Sequence, residues 1–202
     1  MEEIRRNLLP SNTPDRRKIY ILYGLGGIGK TQLAVAYLRE HQKIYSAILW
    51  LNGNSNETLM QSLAAFGKHA GLSPLSEAAA ASTQVTRNIE AEARAALKWL
   101  ALPGNDRWLM IVDNVDREYS RDDEDPLAYD IKSFLPPADH GYILITSRLP
   151  SLGEIGISRE IKRLDAEQAL ELVCDRSGLP HGTEGKRLSD CWLWANARST
   201  KT

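Results

Sequence analysis

The chain is short of cysteine, of net charge and of long apolar runs, and each shortage removes a class of protein. Cys174 and Cys191 are the only cysteines in 202 residues. They follow no CxxC or Cys/His metal spacing, so neither a disulfide framework nor a thiolate metal site is expected. The 25 Lys and Arg balance 26 Asp and Glu to a net charge of −1, with no basic bias, and nucleic acid is excluded as a partner on that ground. No apolar run approaches the roughly 20 residues of a membrane-spanning helix, so no membrane partner is expected. The start, MEEIRRNLLP, is charged where a signal peptide is apolar. A reducing, cytoplasmic setting follows as the expectation. His41, His69, His140 and His181 are scattered and form no metal spacing, and no internal repeat recurs at a fixed period. The remainder, 43% hydrophobic and 25% charged, is the profile of an ordinary globular protein long enough for one α/β core and a fragment of a second domain.

Residues 1–17 read as a polar lead-in, a linker stub in which Pro10 and Pro14 break any helix the preceding residues form. KIYILY, residues 18–23, is a β-branched and aromatic run that ends abruptly in glycine, as a buried parallel strand does before a tight turn. KTQLAVAYLRE then has helical spacing. AILWL, WLMIV and YILIT read as three further strands, with a shorter fifth beginning near Glu160. Between them, residues 56–69 space Leu59, Leu63 and Phe66 for burial on a helix. Val85, Ile89, Ala93, Ala96 and Leu100 mark another helix. The four acids of RDDED, residues 121–125, belong in a solvated loop. Asp165 and Gln168 form a capping box before a last helix. Strands alternating with helices predict a mostly parallel sheet flanked by helices in three layers.

The chemistry is concentrated in GLGGIGKT, residues 24–31, which meets the pattern G-x-x-x-x-G-K-[ST] through Gly24, Gly29, Lys30 and Thr31. By composition such a match arises on the order of once in a hundred chains of this length, and here it also sits between a strand and a helix. Residues without Cβ let the backbone curl around a polyphosphate with successive N–H groups pointing inward, and the following helix adds its positive end. Lys30 can reach the β and γ phosphates and the Thr31 hydroxyl can ligate Mg²⁺. A bound nucleotide needs a metal partner at the end of a neighbouring buried strand, and WLMIVD supplies Asp113.

Asn114 follows where many nucleoside triphosphatases carry a second acid. An amide orients an attacking water but cannot take its proton, so slow hydrolysis is expected. Asp116, two residues on, is the acid that could substitute as base, but it reads first as a turn former. Arg148 closes YILITSR at the edge to which the glycine loop runs, where a guanidinium can contact a γ phosphate. Trp50, Trp99 and Trp108 lie on expected elements and are read as core residues. Arg16, Arg17 and Lys18 form a short basic cluster, read as solvated.

With GLGGIGKT, WLMIVDN and ILITSR in this order, residues 17–174 resemble the NB-ARC members of the STAND class of P-loop ATPases, and IYSAILWLN resembles their fungal, NOD-like receptor branch most. The resemblance implies a three-layer P-loop NTPase fold with a C-terminal helical stub. It also implies a signalling switch that holds ADP at rest, exchanges it for ATP and assembles. Gly26, Gly27, Ile28, Gly29, Lys30, Thr31 and Gln32 would line the phosphates, Asp113 would serve Mg²⁺, and Arg148 would sense phosphate state. Self-association, or binding to full-length relatives, is the implied protein partnership.

The same resemblance divides the chain into a stub (1–17), a nucleotide-binding domain (18–163), the start of a helical domain (164–188) and an atypical tail (189–202). The tail SDCWLWANARSTKT stands where relatives carry a GLPLA-like motif. It reads as a shifted frame, a retained intron, a disrupted gene or a native short form. Gly178-Leu179-Pro180 is read as a loop. An active P-loop ATPase, a kinase and a non-functional remnant are the alternatives. A kinase lacks its arginine-rich lid between Asp116 and Gly141.

Overall fold

The computed structural model describes residues 1–10, 16–72, 82–120 and 125–163. The chain divides into two compact units, Met1–Ile161 and Lys162–Thr202, and all elements below belong to the first. The acids at 122–124, the capping box at Asp165, both cysteines, Gly178-Leu179-Pro180 and the tail from Ser189 lie outside the described residues.

Five parallel strands form one sheet: β1 (Lys18–Tyr23), β2 (Ala47–Asn52), β3 (Trp108–Asp113), β4 (Tyr142–Ser147) and β5 (Ile157–Glu160), in the order β2-β3-β4-β1-β5. Parallel neighbours require crossovers. Helix α2 (Lys30–His41) links β1 to β2, and α3 (Asn56–His69) with α4 (Ser82–Leu100) links β2 to β3. Alternate side chains enter opposite layers. Ile21, Met110, Val112, Ile143 and Ile145 pack in one core with Leu59, Leu63, Ala93 and Leu100. Tyr20, Leu22, Leu109, Ile111 and Leu144 pack in the other with Ala34 and Tyr37. Coverage on both faces is why the central strands read as continuous apolar runs; every residue of β3 and β4 is buried. The fifth strand starts earlier than the sequence indicates, at Ile157, and its four residues are exposed at the sheet edge.

The lead-in differs from its sequence reading. Glu2–Leu8 forms helix α1, whose Ile4 and Leu8 stand one turn apart and are buried in the core with α2. Leu9 is extended, as a residue before proline prefers, so Pro10 ends this helix without preventing it. The carbonyl of Leu8 accepts a 2.7 Å hydrogen bond from the Tyr45 hydroxyl, which also contacts the Tyr37 hydroxyl.

The tryptophan reading is corrected at one position. Trp108 is fully buried and donates its indole N–H to the Leu100 carbonyl at 2.8 Å, and Trp99 is half-buried against Phe66. Trp50 is 38% exposed, because β2 is an edge strand and its alternate residues on that side are uncovered.

Parallel pairing brings the strand ends to one edge of the sheet. Tyr23 is opposite Ser147, and Asn52 is opposite Asp113. Hence the residues after β1, β3 and β4 converge.

Candidate functional site

The glycine loop leaves β1 at Gly24, where φ is +147° and a Cβ would stand 2.5 Å from the Ile161 carbonyl oxygen. Only glycine fits that exit. Gly29, at φ 99°, is the N-cap of α2; it has no side-chain cap, and the first turn carries no acid. The first N–H groups of a helix have no intrahelical acceptor, so the positive end of α2 is left available to an anion. Residues 26–32, with Asn114, Asp116 and Arg148, line a cleft of about 300 Å³.

Lys30 is 8% exposed. Its ammonium donates 2.9 Å hydrogen bonds to the carbonyls of Gly24 and Leu25, so the loop wraps around the cation. Burial lowers its pKa, with Arg148 acting in the same direction and Asp116 and Asp113 opposing. The charge is thus held by carbonyls, a weaker counterweight than a phosphate.

Asp113 is buried at the end of β3. Its Oδ1 accepts hydrogen bonds from the Thr31 hydroxyl at 2.8 Å and from the Thr146 hydroxyl at 2.5 Å. The sequence reading placed this carboxylate on a strand neighbouring β1. In the sheet β4 lies between β1 and β3, so Thr146 on the intervening strand bridges the gap. Thr146 was missed as a site residue, although a hydroxyl inside the apolar run YILIT was the available signal. Gly24 and Asp113 do not line the cleft; each is one hydrogen bond removed from it, through Lys30 and Thr31.

Asn114 has φ 67°. Asn and Asp are the non-glycine residues that tolerate this left-handed region best, so backbone conformation explains a short polar residue here and chemistry must choose between the two. Its N–H donates to the Thr146 Oγ1 at 3.0 Å, and the Val115 N–H donates to the Thr146 carbonyl at 3.0 Å. The turn after β3 is therefore pinned to β4.

Arg148 follows β4. Asp116 accepts from its backbone N–H at 2.8 Å through Oδ1 and from its Nε at 2.9 Å through Oδ2. The guanidinium lies over the loop: a Cβ on Gly26 would be 3.3 Å from Cζ and Nη2. Asp116, read as a turn former, is instead a partner of Arg148 and lines the cleft.

The residues fit a Mg²⁺-nucleotide. Thr31 and Asp113 present two hard oxygen donors side by side, and Mg²⁺ is commonly held by one or two such ligands with phosphate and water completing the shell. Among the described residues no cluster of three His, Cys, Asp or Glu forms an all-protein metal site.

No protein-family model and no curated protein sequence matches the chain. Solved structures match in fold. Cdc6p from Pyrobaculum aerophilum aligns with 88% of this chain and 47% of its own, at 12% identity and a TM-score of 0.55. The Orc1 protein of Aeropyrum pernix, in complex with DNA, aligns with 98% of this chain and 53% of its own, at 15% identity and a TM-score of 0.52. The chain spans about half the length of these structures. The second corrects the exclusion of nucleic acid, because a protein of the same fold is solved on DNA. Net charge is a whole-chain sum and does not report local clustering. Arg6, Arg17 and Lys18 line one cleft of about 390 Å³ at the start of β1, away from the glycine loop at the strand's other end by about 17 Å. Among the described residues no helix is long and apolar enough to cross a membrane. The glycine loop, the parallel sheet with β4 between β1 and β3, and these neighbours together make the architecture a three-layer P-loop NTPase fold.

Proposed function

We propose that this chain is an ADP/ATP-binding switch module of the NB-ARC and STAND type, with slow or absent hydrolysis. One observation carries the reading: Thr31, hydrogen-bonded to Asp113, lines one cleft together with Asn114, Arg148 and the rest of residues 26–32. Residues 26–32 bind the phosphate chain, and Gly24 sets the exit that lets Lys30 turn inward. Thr31 and Asp113 hold Mg²⁺, which when bound supplies charge neutralisation between phosphates. Arg148 contacts the terminal phosphate. Asn114 orients water and takes no proton, and the Asp116 carboxylate that lines the cleft is engaged by Arg148 at both oxygens, so hydrolysis is slow while that pair is intact. Residues 18–163 form the nucleotide domain, and those from 164 begin the helical one. Signalling through self-association or through full-length relatives follows from the same reading.

The test is mass spectrometry of nucleotide released on denaturing the purified protein, with phosphate release measured in parallel. Retained ADP and fewer than one turnover per minute support a switch. Many turnovers per second would make the protein an active ATPase. A second reading adds nucleic acid as a partner, favoured by the Arg6, Arg17 and Lys18 cleft and by the Orc1 likeness. Binding of duplex DNA that weakens steeply with salt is its test.

A further inference from the structure

We propose that Asp116 is a specificity-determining residue, which disfavours ATP relative to ADP by sequestering Arg148. The inference rests on the nucleotide reading above and deepens it. Arg148 is held at two points on one carboxylate, the backbone N–H on Oδ1 and Nε on Oδ2. The backbone contact fixes where residue 148 starts, and the single charge-assisted contact through Nε draws the guanidinium toward the carboxylate. The guanidinium, through Cζ, Nη2 and the Asp116-bound Nε, lies over Gly26 at the lip of the glycine loop. Arg148 therefore stands where a terminal phosphate would meet it, with its charge already matched by Asp116. A diphosphate, one phosphate shorter, would leave the pair intact. A third phosphate must draw Arg148 away from Oδ2, or share it with a second anion in the same cleft. Both arrangements favour the diphosphate.

The carboxylate is well placed for this. Asp116 lines the cleft together with Lys30 and Arg148, and it is the first of the charged groups that bear on Lys30. Its side chain is 19% exposed while that of Arg148 is 63% exposed. The acid is thus the fixed member and the arginine the movable one. The backbone contact to Oδ1 holds the turn after β4 while the side-chain contact to Oδ2 exchanges.

The experiment is calorimetric titration of the full chain with Mg²⁺-ADP and Mg²⁺-ATP separately, for the wild type, Asp116→Asn, Arg148→Ala and the double variant. Asp116→Asn keeps an oxygen to accept the Arg148 N–H and removes the negative charge. It is expected to shift the ratio of ATP to ADP affinity toward ATP by about three- to fivefold, the range left to a pair whose arginine is exposed and screened. In the Arg148→Ala background the same change should move the ratio by less than about twofold. Thermal unfolding in parallel separates folding from specificity. If Asp116→Asn does not fold, Asp116→Ser, which also retains an acceptor for the N–H, carries the same expectation. An unchanged ratio, or equal loss of both nucleotides, overturns the proposal. A shift that persists without Arg148 also overturns it, since it would show simple repulsion and no sequestration. Failure of the folded wild type to bind either nucleotide would instead overturn the nucleotide reading itself.

Discussion

Replacing Thr146 by Val tests the hydroxyl that joins β4 to the end of β3. Valine matches threonine in shape and in β-branching, so the fully buried site keeps its packing and loses only polar function. Two bonds disappear: the 2.5 Å donation to Asp113 and the 3.0 Å acceptance from the Asn114 N–H. A hydrogen bond to a charged group contributes about 1.5–3 kcal/mol. The Asn114 N–H points at this buried hydroxyl, so losing its acceptor adds about 1 kcal/mol. Asp113 retains Thr31, which limits the total to about 3 kcal/mol. With a urea slope of about 2 kcal/mol/M the unfolding midpoint should fall by about 1.5 M. Thr146→Ser keeps the hydroxyl and loses one methyl, about 0.8 kcal/mol, and should fall by about 0.4 M. Urea denaturation followed by tryptophan fluorescence reads both. A Val midpoint within about 0.3 M of wild type, or a Ser variant as unstable as Val, would refute the claim that this hydroxyl ties β3 to β4.

Other expectations are independent of that bridge. Excess Mg²⁺-ADP at about 100-fold over Kd should stabilise the wild type by about 2.7 kcal/mol, whereas Lys30→Met should unfold at the same midpoint with or without nucleotide. Trp108→Ala should cost about 3–5 kcal/mol because the ring is fully buried and hydrogen-bonded, while Trp50→Ser at the exposed edge should stay within about 1 kcal/mol in the same assay. Burial raises the Tyr37 pKa to about 12 and pushes Tyr45 and Tyr129 upward as well. These hydroxyls keep their protons in the folded chain after the unfolded chain has released them, so stability is intact below about pH 10 and falls as pH rises toward 12. Phenolate absorbance of these tyrosines should appear together with loss of helical circular dichroism; ionisation without unfolding would contradict their burial.

What the sequence by itself determined is local. Continuous apolar runs bounded by turn residues identified β1 to β4 within a residue or so at each end, and 3.6-residue spacing identified α2, α3 and the buried face of α4. The glycine loop was legible because its backbone needs particular residue types at fixed offsets. Asp113 was singled out because a charge ending an apolar strand has no use in a core, and Arg148 because a parallel strand runs to the edge where the glycine loop lies; their positions at that edge are observed, and their roles are proposed.

The tertiary structure decided everything that depends on who lies beside whom. Strand order follows from packing between segments far apart in the chain, so nothing in WLMIVD or YILITS shows that β4 separates β1 from β3, or that Thr146 must therefore carry the link to Asp113. Edge position exposed Trp50 with the same local pattern that buries Trp108. A tertiary partner turned the lead-in into α1, since Ile4 and Leu8 gain a helix only by docking on the core. The φ of Asn114 and the grip of Asp116 on Arg148 are likewise products of two loops meeting at one sheet edge. Periodicity and turn chemistry act over a few residues and can be read along the chain. Burial, pairing and charge partnership act across space, and only the assembled sheet specifies them.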